Sequence, residues 1–99
     1  MATVISKNGI AIRLNEERWA HITEEHAELI ENRADVLNTI ANPTQIFSGN
    51  AGELLAIKEI EARKWLVVVY RELEGDGFVI TAFLTHRKRS FERRKQLWP

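Results

Sequence analysis

The chain predicts an α+β fold in which two N-terminal helices pack on an antiparallel meander sheet of four to five strands, followed by a short basic C-terminal helix or tail. Three observations predict it. Apolar residues recur at helical three- and four-residue steps before Asn42-Pro43 and alternate in strand fashion after it. The strand-like segments are joined by short connections suited to hairpins, whereas parallel neighbours need a crossover of a dozen residues or more. Finally, 99 residues with 44% hydrophobic and 28% charged side chains suit one folded domain, residues 1–99, with one core.

The elements follow in order. Gly9 to Leu14 alternates apolar positions and reads as a small edge strand. Asn15 followed by Glu16 and Glu17 is an N-cap with acidic residues at the positive end of a helix dipole, so a helix begins near Glu16. Trp19, Ile22 and His26 share one side of it, with His26 near its end. Ala34, Leu37, Ile40 and Ala41 form the stripe of a second helix over 33–41, stopped by the bias that Pro43 places on Asn42. Strands are expected at 45–47, 53–60, 64–72 and 77–86, separated by Ser48-Gly49-Asn50-Ala51-Gly52, Glu61-Ala62-Arg63 and Gly75-Asp76-Gly77. Ser90 is a candidate cap for the terminal segment, with Phe91, Leu97 and Trp98 available to dock on the core.

Strand alternation sorts the side chains. Phe78, Ile80, Ala82 and Leu84 form an apolar face with Leu66, Val68, Tyr70, Leu55 and Ile57, which the helices are expected to cover. The opposite face then carries Lys58, Arg71, Thr81 and Thr85, a cationic and hydroxyl-bearing surface suited to a phosphate.

A net charge of zero conceals an asymmetry. Glutamates crowd the helical third, while Arg87, Lys88, Arg89, Arg93 and Arg94 crowd the end, where they are expected to bind an anionic partner such as RNA. Without cysteine there is neither a disulfide framework nor a thiolate metal site, and a cytoplasmic location is expected. The longest apolar run, Trp65 to Tyr70, is too short to span a bilayer, so no membrane partner is expected. Thr23-Glu24-Glu25-His26 lacks the paired histidines of a zinc helix, and His21 with Glu25 reads as an ordinary surface pair, so no metal is expected. The chain lacks a Gly-rich phosphate loop and a nucleophile elbow, which gives nucleotide hydrolysis and acyl transfer no support. A histidine titrating near neutrality remains as a candidate for proton transfer at an RNA 2′-hydroxyl.

The segments Ile12 to Ile22, Glu25-His26-Ala27-Glu28-Leu29, Thr39 to Pro43 and Val79 to Thr85 together resemble the barnase, EndoU, colicin and RelE (BECR) superfamily of small phage- and toxin-associated domains. The resemblance implies a metal-independent, cofactor-free endoribonuclease in which a 2′-hydroxyl attacks the adjacent phosphate. Carried over residue by residue, it implies His26 as general base, Lys58 or Arg71 against phosphorane charge, and Thr81 or Thr85 orienting a phosphate oxygen. Proline commonly follows the family's histidine, and Ala27 stands here instead. The alternative on the same fold is a non-catalytic module that binds RNA or a protein. The partners implied are RNA and a cognate antitoxin or immunity protein.

Overall fold

Asn15 opens the first helix through its side chain, whose Oδ1 accepts the Arg18 backbone N–H at 2.7 Å. In the computed structural model, which describes residues 2–99, this helix (α1) spans Glu16–Glu25 and a second (α2) spans Arg33–Ala41. A 3-10 turn, Ala27–Leu29, joins them. Asn42 ends α2 by donating its backbone N–H to the Asn38 carbonyl at 2.7 Å, just before Pro43. Arg33 ties the start of α2 to the start of α1 through two hydrogen bonds to Glu16, at 3.0 and 2.5 Å. Those bonds hold the Glu16 carboxyl below its usual range.

The strands correct the expected meander. They are β1 (Ala2–Ile5), β2 (Ala11–Leu14), β3 (Gln45–Ser48), β4 (Leu54–Glu61), β5 (Lys64–Leu73), β6 (Asp76–Thr85) and β7 (Gln96–Trp98). They form one seven-stranded sheet in the order β1-β2-β6-β5-β4-β3-β7. The sheet is mixed, because β2 runs parallel to β6 through the pairs Ile12 to Gly77 and Arg13 to Phe78. The helices are not N-terminal: the hairpin β1-β2 precedes them, and β2 lies inside the sheet instead of at its edge. With α1 and α2 between β2 and β3, the chain can place β2 beside β6, a neighbour that a meander of hairpins excludes. The tail is likewise not simply a helix. A 3-10 turn, Lys88–Phe91, leads back to the sheet, where β7 pairs with β3.

Gly77 makes the parallel contact feasible. A Cβ there would overlap Ile12 Cδ1 and come 2.6 Å from the Arg71 carbonyl oxygen, so a side chain would separate β2 from β6. Arg13 then clamps the pair by donating Nε and Nη2 to Asp76 at 3.1 and 2.9 Å. Beyond them, Ser6 and Asn8 both donate to the Glu72 carboxylate and fasten the β1-β2 turn to β5.

Register decides which side chains share a face. Leu54 lies opposite Tyr70 and Lys58 opposite Leu66, so Lys58 shares the face of Leu66, Val68 and Tyr70. Arg71 alternates with Tyr70 and points to the other face. The expected grouping of Lys58 with Arg71 is therefore wrong: the β4-β5 register pairs even positions with even ones. A second correction comes from an irregularity in the β5-β6 ladder between Val69 and Tyr70, which pair with Thr81 and Val79 and skip Ile80. Val79 thereby joins Ala82 in the core at 1% exposure, while Ile80 is displaced to the sheet margin.

The main core lies between the helices and the sheet and contains Ile12, Leu14, Ile22, Leu29, Val36, Ile40, Leu66, Val68 and Tyr70. The opposite face is also partly apolar: Phe47, Leu55, Ile57, Val67 and Phe91 form a second cluster. Phe91 stacks on Phe47 with ring centroids 6.4 Å apart, so the tail covers the part of this face expected to be open. The sheet also curls, because α2 packs on β1, β4 and β5 and Lys7 Nζ, next to edge strand β1, stands 5.0 Å from the ring of Trp98 on the other edge strand, β7. No helix among the described residues is long and apolar enough to cross a membrane.

Candidate functional site

The free stretch of β6 and the face of α1 beside it build a cleft of about 290 Å³ lined by Arg18, His21, Ile22, Glu25, His26, Ile80 and Thr81. Helical geometry explains why α1 supplies most of it. Residues 18, 21, 22 and 25 recur at three- and four-residue steps, so they share one side of the helix. Ile22 anchors that side in the core at 2% exposure, which leaves its neighbours along the rim. On the strand side, the displaced Ile80 and the adjacent Thr81 reach the cleft because β6 runs past the end of β2.

His26 terminates α1, with its backbone N–H donated to the Ile22 carbonyl at 2.8 Å. Its ring stands 6.1 Å from that of Phe83 on β6, and its Nδ1 is 3.8 Å from Glu28 Oε2. With its side chain 30% exposed, the imidazole is both held and accessible. Arg18 Nη1 donates to the Ile80 carbonyl at 3.4 Å, which bridges helix and strand and leaves most of its five N–H donors for an anion. His21 lies nearer Glu17, 4.0 Å from Oε1, than the expected partnership with Glu25 implied.

The candidate residues named from sequence divide sharply. His26 and Thr81 line the same cleft. Thr85 faces the same side of β6 as Thr81, but its Oγ1 accepts the Arg87 backbone N–H at 3.0 Å and shapes the exit turn. Lys58 belongs to the helix-covered face, for the register reason given above. Arg71 is committed elsewhere: its Nη2 donates to the Ala51 carbonyl at 2.7 Å and braces the β3-β4 loop. Within that loop Glu53 Oε1 accepts the Ala51 N–H at 2.7 Å, and this bond, with Glu53's own backbone N–H and the charges of Arg71 and Arg94, holds its carboxyl below the usual range. The five residues thus do not converge on one pocket.

The basic tail also divides. Arg94 donates to the Ser48 carbonyl at 3.3 Å and to Asn50 Oδ1 at 2.9 Å, so it is a loop brace. Lys88 Nζ lies over the Trp65 ring at 5.0 Å. Arg87, Arg89 and Arg93 are exposed, and among the described residues none of them makes an ion pair with a carboxylate. His86, Arg87, Lys88, Arg89 and Ser90 line an open surface depression of about 500 Å³.

Arg18, His21 and Ile80 were missed in the sequence as residues of the site. Arg18 had a signal, since it lies one helical turn before Ile22 and two before Glu25. Ile80 had none, because its position depends on a ladder irregularity. Among the described residues no cluster of three or more histidine or acidic side chains is arranged to hold a metal ion. No family model, curated protein or solved structure matches the chain significantly.

Proposed function

We propose that the protein is a metal-independent endoribonuclease whose reaction takes place in the cleft between α1 and β6. The observation that carries the reading is the convergence of His26, Thr81, Arg18 and His21 on one open cleft. A ribose 2′-hydroxyl needs a base, the pentacoordinate phosphate needs positive charge, and the leaving 5′-oxygen needs a proton. His26 is assigned as the base that takes the 2′-hydroxyl proton. Arg18 supplies a delocalised cation for the phosphate oxygens, Thr81 a hydroxyl to orient one of them, and His21 a second imidazole to protonate the leaving oxygen. The 2′-oxygen forms its bond to phosphorus as the bond to the 5′-oxygen breaks, giving a 2′,3′-cyclic phosphate and a free 5′-hydroxyl.

The resemblance to the BECR superfamily supports the same reading, with Arg18 replacing Lys58 and Arg71 as the cation. The test is incubation of end-labelled RNA with the protein in EDTA. The expected result is cleavage that leaves cyclic phosphate ends and spares a strand carrying 2′-deoxy sugars. An intact RNA, or cleavage of the deoxy strand, contradicts the proposal.

A further inference from the structure

We propose that single-stranded RNA lies along the free margin of β6, from the His26–Thr81 cleft at one end to the basic turn Arg87–Arg89 at the other, with Phe83 stacking on a base between them. The His26 end rests on the ribonuclease reading above; the path along β6 rests on the geometry of the strand itself.

β6 pairs with β2 only at Gly77 and Phe78, although it continues to Thr85. Residues 79–85 therefore have no strand on that side; α1 flanks the start of the stretch, where Arg18 donates to the Ile80 carbonyl, and a ligand can follow the strand from there toward Thr85. Thr81, Phe83 and Thr85 alternate onto one face, opposite Val69, Val67 and Trp65 of β5. At the strand rise, Thr81 and Thr85 are about 13 Å apart, room for an extended strand of a few nucleotides. Thr81 lines the cleft, and Thr85 fixes the turn that presents Arg87.

The chemistry along this path changes in the order that a nucleic-acid strand requires. The cleft holds Arg18 and two imidazoles, and the far end holds Arg87 and Arg89, exposed and free of carboxylate partners among the described residues. Between them Phe83, packed against the second apolar cluster and beside the His26 ring, is still partly exposed, an aromatic ring of the kind on which unpaired bases stack without regard to sequence. A duplex hides its bases from such a ring.

The experiment measures binding of a fluorescein-labelled deoxythymidine oligomer, which the enzyme does not cleave, by anisotropy across a salt series. Phe83→Leu keeps an apolar side chain but removes the stacking ring, and it is expected to weaken binding about fivefold or more. The double variant Arg87→Ala, Arg89→Ala removes two phosphate contacts, and it is expected to make the slope of log K against log salt shallower by about 1.4. The same sequence annealed to its complement is expected to bind more weakly than the single strand. Unchanged affinity and slope in both variants, or equal binding of the duplex, overturns the proposal and leaves the β6 margin to a peptide strand. Because the probe is not cleaved, loss of the ribonuclease reading and loss of this path give different results: an inactive protein whose binding responds to these substitutions fails only the first.

Discussion

Replacing Tyr70 with Phe is expected to stabilise the protein. Tyr70 is fully buried, and its hydroxyl has no hydrogen-bond partner among the described residues. A buried hydroxyl left unpaired costs about 1–3 kcal/mol, while its removal leaves the ring packing against Leu54 and Val79 in place. A gain of about 1 kcal/mol is therefore expected near neutral pH, which for a domain of this size raises Tm by about 4–8 °C. Burial, with the charge of Glu72 adding to it, pushes the phenol well above its ordinary range. In the unfolded chain the same phenol ionises near pH ~10. Above that pH the unfolded state releases a proton that the folded state keeps, so stability falls as pH rises, and the Tyr70→Phe protein escapes that fall. At about pH 11 the advantage of the variant grows by about 1.4 kcal/mol. Urea unfolding of both proteins at the two pH values measures the difference, with lysine ionisation common to both. Tyr70 is the sole tyrosine, so phenolate absorbance reports it alone. A variant less stable than the parent by about 1 kcal/mol at neutral pH, or phenolate absorbance appearing near pH ~10 while the protein is folded, refutes the reasoning.

Two further outcomes follow from the geometry. Gly77→Ala places a methyl group against Ile12 and the Arg71 carbonyl, and it is expected to lower stability by about 1–3 kcal/mol in chemical denaturation; an unchanged midpoint argues against the close β2-β6 approach. Arg18→Ala is expected to lower kcat/KM for RNA by about 10²-fold, whereas Lys58→Ala leaves it within about twofold because Lys58 stands on β4, beyond β5 from β6, and does not line the cleft. The reverse ranking contradicts the placement of the reaction in the α1-β6 cleft.

Much of the secondary structure was legible because local chemistry writes it. Asn15 before two glutamates marked the start of α1, and Asn42-Pro43 marked the end of α2. The hairpin connections of β3 through β6 were readable for the same reason. The sheet was not, since a parallel neighbour such as β2 against β6 has no turn to announce it, and β7 comprises three residues. The candidate site was legible in part. His26 and Thr81 were named from sequence and share a cleft, but the position of Lys58 depends on the β4-β5 register, and that of Ile80 on a skipped residue in the β5-β6 ladder. Neither is encoded by alternation within one strand. Arg71 and Arg94 had the charge expected of ligand-binding residues, but the carbonyls and the Asn50 side chain of the β3-β4 loop engage them.

The proposed ribonuclease reaction depends on proton transfer by His26 in the cleft beside β6. Its most direct measurement is single-turnover cleavage of labelled RNA in EDTA by the parent protein and by His26→Ala, with circular dichroism confirming that both are folded. A loss of about 10²-fold or more is expected in the variant. Equal rates from the two folded proteins contradict it.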